Sequence, residues 1–162
     1  MSELTHIDGQ GRVRMVDVTE KKPSRRTAVA QAVVHMSVET FKKIIAGTVS
    51  KGNVLETARI AGVMGAKKTA DLIPMCHPLN LTHIQVDFIP DETQNTIRIE
   101  GTARIVDQTG VEMEALTAVS VAALTLYDMC KAIDKTMTIT DICLLKKTGG
   151  KSGDFRRENA GS

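Results

Sequence analysis

Two stretches near the middle of the chain constrain its fold more than anything else in it. Residues 81–89 alternate, with Ile84, Val86 and Phe88 on one side and His83, Gln85 and Asp87 on the other. After a polar turn at Asp91–Asn95 the alternation resumes, with Ile97, Ile99 and Ile105 set against Arg98, Glu100 and Arg104. A period of two puts neighbouring side chains on opposite faces of a strand, so the pattern predicts an antiparallel hairpin with one buried face.

The flanking segments can cover that face. Residues 28–37 suit a strand, and a helix over 38–46 follows, with Ser37 as its N-cap and Gly47 as its stop. Asn53 caps a longer helix that runs to about Leu72, with Pro74 just beyond it. Ala58, Ala61, Gly62, Gly65 and Ala66 give this helix a face so small that the sheet or another helix must pack closely on it. A long helix is expected from about Val111 to Asp134 and a last strand over 137–146. A short strand is expected near Met15–Val18. The order strand, helices, strand, strand, helix, strand is that of a split β-α-β unit. The expected fold is therefore an α+β, ferredoxin-like sandwich: an antiparallel sheet with helices on one face. The opposite face is left bare, which points to an oligomer-forming chain.

The 162 residues fit one domain, 1–162, with a polar N-terminal arm over 1–27 and a flexible glycine-rich tail over 147–162. With three Phe, one Tyr and no Trp, small aliphatic residues and Met must fill the core. The 21 basic residues nearly cancel the 19 acidic ones, which argues against a nucleic-acid binder. Cys76, Cys130 and Cys143 are odd in number and scattered, so they read as reduced thiols. No stretch approaches the ~20 apolar residues of a membrane helix, and the first residues lack the basic start and apolar run of a signal peptide. A cytoplasmic protein with no membrane partner is expected.

Three places hold residues suited to chemistry. Pro74 and Pro78 stiffen the connection that carries Met75, Cys76 and His77. His77 there could donate to a phosphate or transfer a proton, or simply lie half exposed in a loop that turns the chain. On the long helix, Glu114, Thr117, Val121, Leu124, Asp128 and Lys131 share one stripe, apolar in the middle and charged at its ends. A rise of 1.5 Å per residue separates Glu114 from Asp128 by about 21 Å, so one small ligand can touch both only if they come from different subunits. Read plainly, the same residues are a helix N-terminal acid and a surface Asp–Lys pair. Lys51 precedes Gly52 just before the capped helix, a position that suits an anion. Gly150-Lys151-Ser152 resembles the end of a phosphate-binding loop, but Leu145 stands where that motif needs glycine. No spacing suits a metal site, so none is expected.

Long strings of unusual order carry a resemblance. They are His6-Ile-Asp with Met15-Val-Asp-Val, Ala58-Arg-Ile-Ala-Gly, and Asp71-Leu-Ile-Pro-Met-Cys-His-Pro-Leu. Thr109-Gly-Val-Glu-Met-Glu-Ala-Leu-Thr-Ala, Leu126-Tyr-Asp-Met-Cys-Lys-Ala and Gly149-Gly-Lys-Ser-Gly-Asp-Phe complete the set. Together the chain resembles the molybdenum cofactor biosynthesis protein C family. The resemblance implies a phosphorus–oxygen lyase that converts 3′,8-cyclo-7,8-dihydro-GTP to cyclic pyranopterin monophosphate and releases pyrophosphate. It implies a homohexamer, a trimer of dimers with the site at a dimer interface. It implies that Lys51, His77, Asp128 and Lys131 are essential and that Met75, Cys76, His77, Met113 and Glu114 bind substrate. No tightly bound cofactor is expected, although Mg2+ could accompany the triphosphate.

These residue types fit such chemistry. Lys51 and His77, with Arg26 or Lys147, could stabilise the departing pyrophosphate. Asp128 and Lys131 form a candidate acid–base pair. Glu114 could accept hydrogen bonds from a guanine-type N–H edge. The rival reading is a nucleotide-sensing module without chemistry, which would have little use for Asp128 beside Lys131.

Overall fold

Antiparallel pairing of five strands organises the molecule, whose computed structural model describes residues 7–158. In chain order the elements are β1 (Ser24–His35), α1 (Val38–Ala46), α2 (Val54–Lys67), α3 (Thr69–Leu72), β2 (His83–Asp91), β3 (Thr96–Asp107), α4 (Glu112–Cys130), β4 (Thr138–Thr148) and β5 (Phe155–Arg156). The sheet order is β2-β3-β1-β4-β5. His6, named in the first of the family-like strings, and residues 1–5 and 159–162 of the arm and tail lie outside the described residues.

The hairpin forms as the alternation predicts. β2 pairs with β3 from His83↔Arg104 to Asp91↔Thr96, and the Asp91 carboxylate accepts from the Thr93 and Gln94 amides to hold the turn. Val86, Ile97, Ile99 and Ile105 are buried, as are Ala28, Ala30, Ala32 and Val34 of β1. The alternate residues Arg98, Glu100, Thr102 and Arg104 remain at least partly accessible on the other face.

α4 lies across β1, β3 and β4, and α2 lies along α4 and reaches β2. This is the partner that the small face of α2 needs. A Cβ on Gly62 would stand 2.9 Å from the Ala118 carbonyl oxygen, and one on Gly65 would meet Val121 at 2.8 Å. Ala58 and Ala66 are buried in the same contact. α4 is also long and apolar enough to cross a membrane on length and composition alone, which the sequence reading overlooked. Half of that stretch is buried inside this protein, against the sheet and α2, which accounts for its apolar character.

Local chemistry sets α1 closely: Ser37 Oγ accepts from the Thr40 amide at 3.2 Å, and Gly47 takes the left-handed conformation (φ 67°) that ends the helix. Several elements differ from expectation, among them β4, which runs from Thr138 to Thr148 against the expected 137–146. β1 begins at Ser24, four residues earlier, because Ser24–Thr27 find partners in Arg104–Asp107, and Thr27 also pairs with Thr148. The helix expected to reach Leu72 breaks at Lys68 (φ −105°, ψ 8°), where buried Thr69 donates its hydroxyl to the Ala66 carbonyl. α4 stops at Cys130, followed by a turn in which Asp134 accepts from the amides of Ser37 and Thr136. Met15–Val18 forms no strand; among the described residues the arm has a single bridge, Ile7↔Val13, and its turns are held by Asp8 and Asp17. Beyond β4 the chain turns back through Gly149, Gly150 and Gly153, all at positive φ, and β5 pairs with Lys146 and Lys147.

Candidate active site

The two ends of α4 gather the predicted residues into two groups. At the C-terminal end, Asp128 and Lys131 face each other one turn apart, with Lys131 Nζ 2.6 Å from Asp128 Oδ1. Lys51 joins them from the loop between α1 and α2. Its Nζ donates to the Asp128 main-chain oxygen at 2.9 Å and lies 3.6 Å from Oδ2. Gly47 and Gly52 turn the loop, Val49 anchors it in the core, and Asn53 caps the helix that follows. Sequence position placed Lys51 just before a capped helix, where an anion would be favoured. The structure ties it to the C-terminus of α4, where exposed carbonyls favour a cation.

Two ammonium groups thus surround one carboxylate. The Lys131 hydrogen bond and charge, and then Lys51, hold the Asp128 carboxyl below its ordinary range. Asp128 in turn raises the Lys131 ammonium. Both shifts lead away from neutrality, whereas a proton-transfer pair works best with values near the working pH. With both groups held in their charged forms, Asp128 and Lys131 make a solvent-exposed ion pair.

At the N-terminal end, Met75, Cys76 and His77 meet Met113 and Glu114 around a cavity of about 310 Å3. Leu79, Thr109, Gly110, Glu112 and the arm residues Val16, Val18 and Lys21 complete its lining. His77 Nε2 lies 2.8 Å from the Val16 carbonyl oxygen. Glu114 is 4% exposed, and burial pushes its carboxyl up to about 7, with the charge of Glu112 adding to the rise. Near neutral pH the group divides between acid and carboxylate, so it can donate a hydrogen bond as well as accept one. Burial, and then Glu114, raise the Cys76 thiol as well.

A larger cavity of about 960 Å3 is lined by Asp17, Glu20, Lys21, Lys22, Ser24, Arg26, Gly150, Lys151 and Ser152. Lys21 lines both cavities. Arg26 donates to the carbonyls of Asp107 and Gln108, and Gly150 beside its guanidinium takes a positive φ of 86°, a conformation that favours glycine. Lys147 stands 3.1 Å from Glu112 and donates to Ser152 at 2.7 Å. Sequence reasoning missed Lys21, Lys22 and Glu112 as lining residues. An arm lysine without a motif gives no signal, and Glu112 reads equally well as an ordinary first-turn acid. Among the described residues no group of three or more His, Cys, Asp and Glu could hold a metal ion.

Comparison with known proteins bears on this arrangement. The family model described as "MoaC family" matches residues 15–150. A relative from Desulforapulum autotrophicum, named cyclic pyranopterin monophosphate synthase, is 62% identical, and the match covers 99% of each chain. Relatives with the same name from Desulfatibacillum aliphaticivorans and a Roseiflexus species are each 60% identical, over 98% and 96% of this chain and 99% and 98% of their own. The matched residues include both ends of α4, the proline-bracketed loop and Lys51, and on these grounds the chain belongs to the MoaC family, the molybdenum cofactor biosynthesis protein C family.

Proposed function

We propose that this protein is a cyclic pyranopterin monophosphate synthase, a lyase that converts 3′,8-cyclo-7,8-dihydro-GTP to cyclic pyranopterin monophosphate and releases pyrophosphate. The observation that carries the reading is end-to-end similarity to relatives of that name, 62% identical in one case. The site's chemistry agrees with it. Lys51 and Lys131 present two cations beside Asp128, a unit suited to the charge that develops as pyrophosphate departs. Met75, Cys76, His77, Met113 and Glu114 form a cavity of mixed apolar and hydrogen-bonding character that suits a purine-derived ring. Arg26, Lys147 and Lys151 add positive charge nearby for the triphosphate. No resident cofactor enters the proposal, and any magnesium travels with the triphosphate.

Two further parts belong to the same proposal. The sheet order β2-β3-β1-β4, with helices following β1 and β3, supports a single ferredoxin-like domain. The two groups stand at opposite ends of one helix, about 21 Å apart from Glu114 to Asp128. That spacing supports a site that joins the Asp128 group of one subunit to the His77 group of another, and the family resemblance makes the assembly a homohexamer, a trimer of dimers. We place the enzyme in the cytoplasm, acting on a small nucleotide-derived substrate.

The test is incubation of the pure protein with the cyclised GTP intermediate, following pyrophosphate and the pterin product. Both should form, and both should vanish in Lys51→Ala and Asp128→Ala. Tight binding without turnover by a folded wild-type oligomer would instead mark a nucleotide-sensing module.

A further inference from the structure

Among the described residues His77 is the one histidine that lines the cavity, and its ring is already committed on one side. Nε2 lies 2.8 Å from the main-chain oxygen of Val16, sixty-one positions earlier in the chain. A carbonyl oxygen can only accept, so Nε2 must carry the hydrogen. In the neutral ring the lone pair is then confined to Nδ1, the remaining polar atom of the side chain. Both partners are held. Cys76 donates its amide to the Ile73 carbonyl within the proline-bracketed loop. In the arm, Asp17 accepts from the Thr19 amide and hydroxyl, and the Lys21 amide donates to Val18.

The geometry points to the Val16 carbonyl as a positioning group for the reaction: it fixes His77 as the Nε2–H tautomer and leaves Nδ1 to accept a hydrogen bond from a substrate N–H or O–H. This assignment rests on the synthase reading above, and it gives the arm a task in the site that neither the motif strings nor the relatives' names contain. The bond to Val16 survives protonation, because Nε2 carries its hydrogen in both states. The ring therefore keeps its orientation while Nδ1 gains or loses a proton. The charged groups around it are Asp17 and Lys21 from the arm and Glu112 and Glu114 from α4. Asp17 is held below its ordinary range first by the Thr19 hydroxyl and also by the His77 charge, which places the two side chains near each other.

The experiment has two arms. The first is a solid-state 15N spectrum of sedimented, histidine-labelled full-length protein, in which His77→Gln identifies the His77 signals among the four histidines. The inference expects a protonated Nε2 and a bare Nδ1 in the neutral ring. A protonated Nδ1 with a bare Nε2 overturns it. The second arm is kinetic. Asparagine places its amide near the Nδ1 position, and glutamine places its amide near the Nε2 position. His77→Gln keeps the bond to Val16 but loses the acceptor, so KM should rise about tenfold or more. His77→Asn keeps an acceptor at the Nδ1 position but loses the bond to Val16 that holds it, so its KM should rise less than that of His77→Gln while kcat falls in both. The reverse order, with Gln the better enzyme, overturns the assignment. The spectrum needs no turnover, so a wrong tautomer and a wrong reaction give different results.

Discussion

Lys51 Nζ lies 2.9 Å from the main-chain oxygen of Asp128 and 3.6 Å from its carboxylate, a contact between residues seventy-seven positions apart. With Lys131 on the other carboxylate oxygen, Asp128 holds two ammonium groups within reach of one ligand. All three side chains are substantially exposed, so their value to stability is small, and the proposed function gives them a role in the chemistry instead. Asp128→Ala should therefore lower kcat by about 100-fold or more. It should change unfolding stability by no more than about 0.5 kcal/mol. Turnover and a denaturation curve on the same preparation check both halves; near-normal turnover removes Asp128 from its role.

Glu114 behaves in the opposite manner, because its environment opposes charge. Its carboxyl is raised from 4.5 to about 7 by burial, so the folded state binds a proton more tightly than the unfolded chain does. Below about pH 4.5 both states hold the proton and the group is neutral in stability. As pH rises toward 7 the native state loses stability relative to a neutral side chain, and above 7 the loss is constant. A rise of that size corresponds to on the order of 3 kcal/mol. Glu114→Gln should match the wild type at pH 4 and be clearly more stable at pH 8. Thermal unfolding at the two pH values decides it, and an equal gap at both contradicts the buried-acid reading.

Close approach of α2 to α4 depends on Gly62. An added Cβ meets the Ala118 carbonyl at 2.9 Å and Val86 and Ala122 slightly farther out, and two of these three neighbours belong to one rigid helix. Gly62→Ala should destabilise by about 1–3 kcal/mol despite its better helix propensity. An unchanged or raised melting temperature would show that the helices separate freely.

How much of this was legible in the sequence depended on the range of the forces involved. Ser37, Gly47 and Asn53 act on amides and carbonyls within a few residues, and their helix ends stand where the sequence places them. Alternation at Ile84–Phe88 and Ile97–Ile105 announced one buried face, and the glycine-rich face of α2 announced a close neighbour. Long-range partners were not legible. Met15–Val18 has a strand-like composition but no strand to pair with, and Phe155–Arg156 is a strand only because β4 offers an edge. The break at Lys68 turns on a single hydroxyl of Thr69 reaching Ala66. For the site, the family-like strings named the residues, and helix rise alone separated Glu114 from Asp128. The attachment of Lys51 to the far end of α4, and the entry of Lys21 into two cavities, needed the folded chain.

The most direct test of the central claim is subunit complementation between two inactive variants. His77→Ala breaks one group and Asp128→Ala the other, and each protein alone should form oligomers without turnover. When the two are co-expressed or refolded together, half of the dimers are mixed. In an isologous dimer each mixed pair holds one doubly damaged site and one intact site, so activity should recover to about a quarter of wild type. Activity no higher than that of the parents, in oligomers shown by native mass spectrometry to contain both variants, would contradict a site built from the two ends of α4 in different subunits.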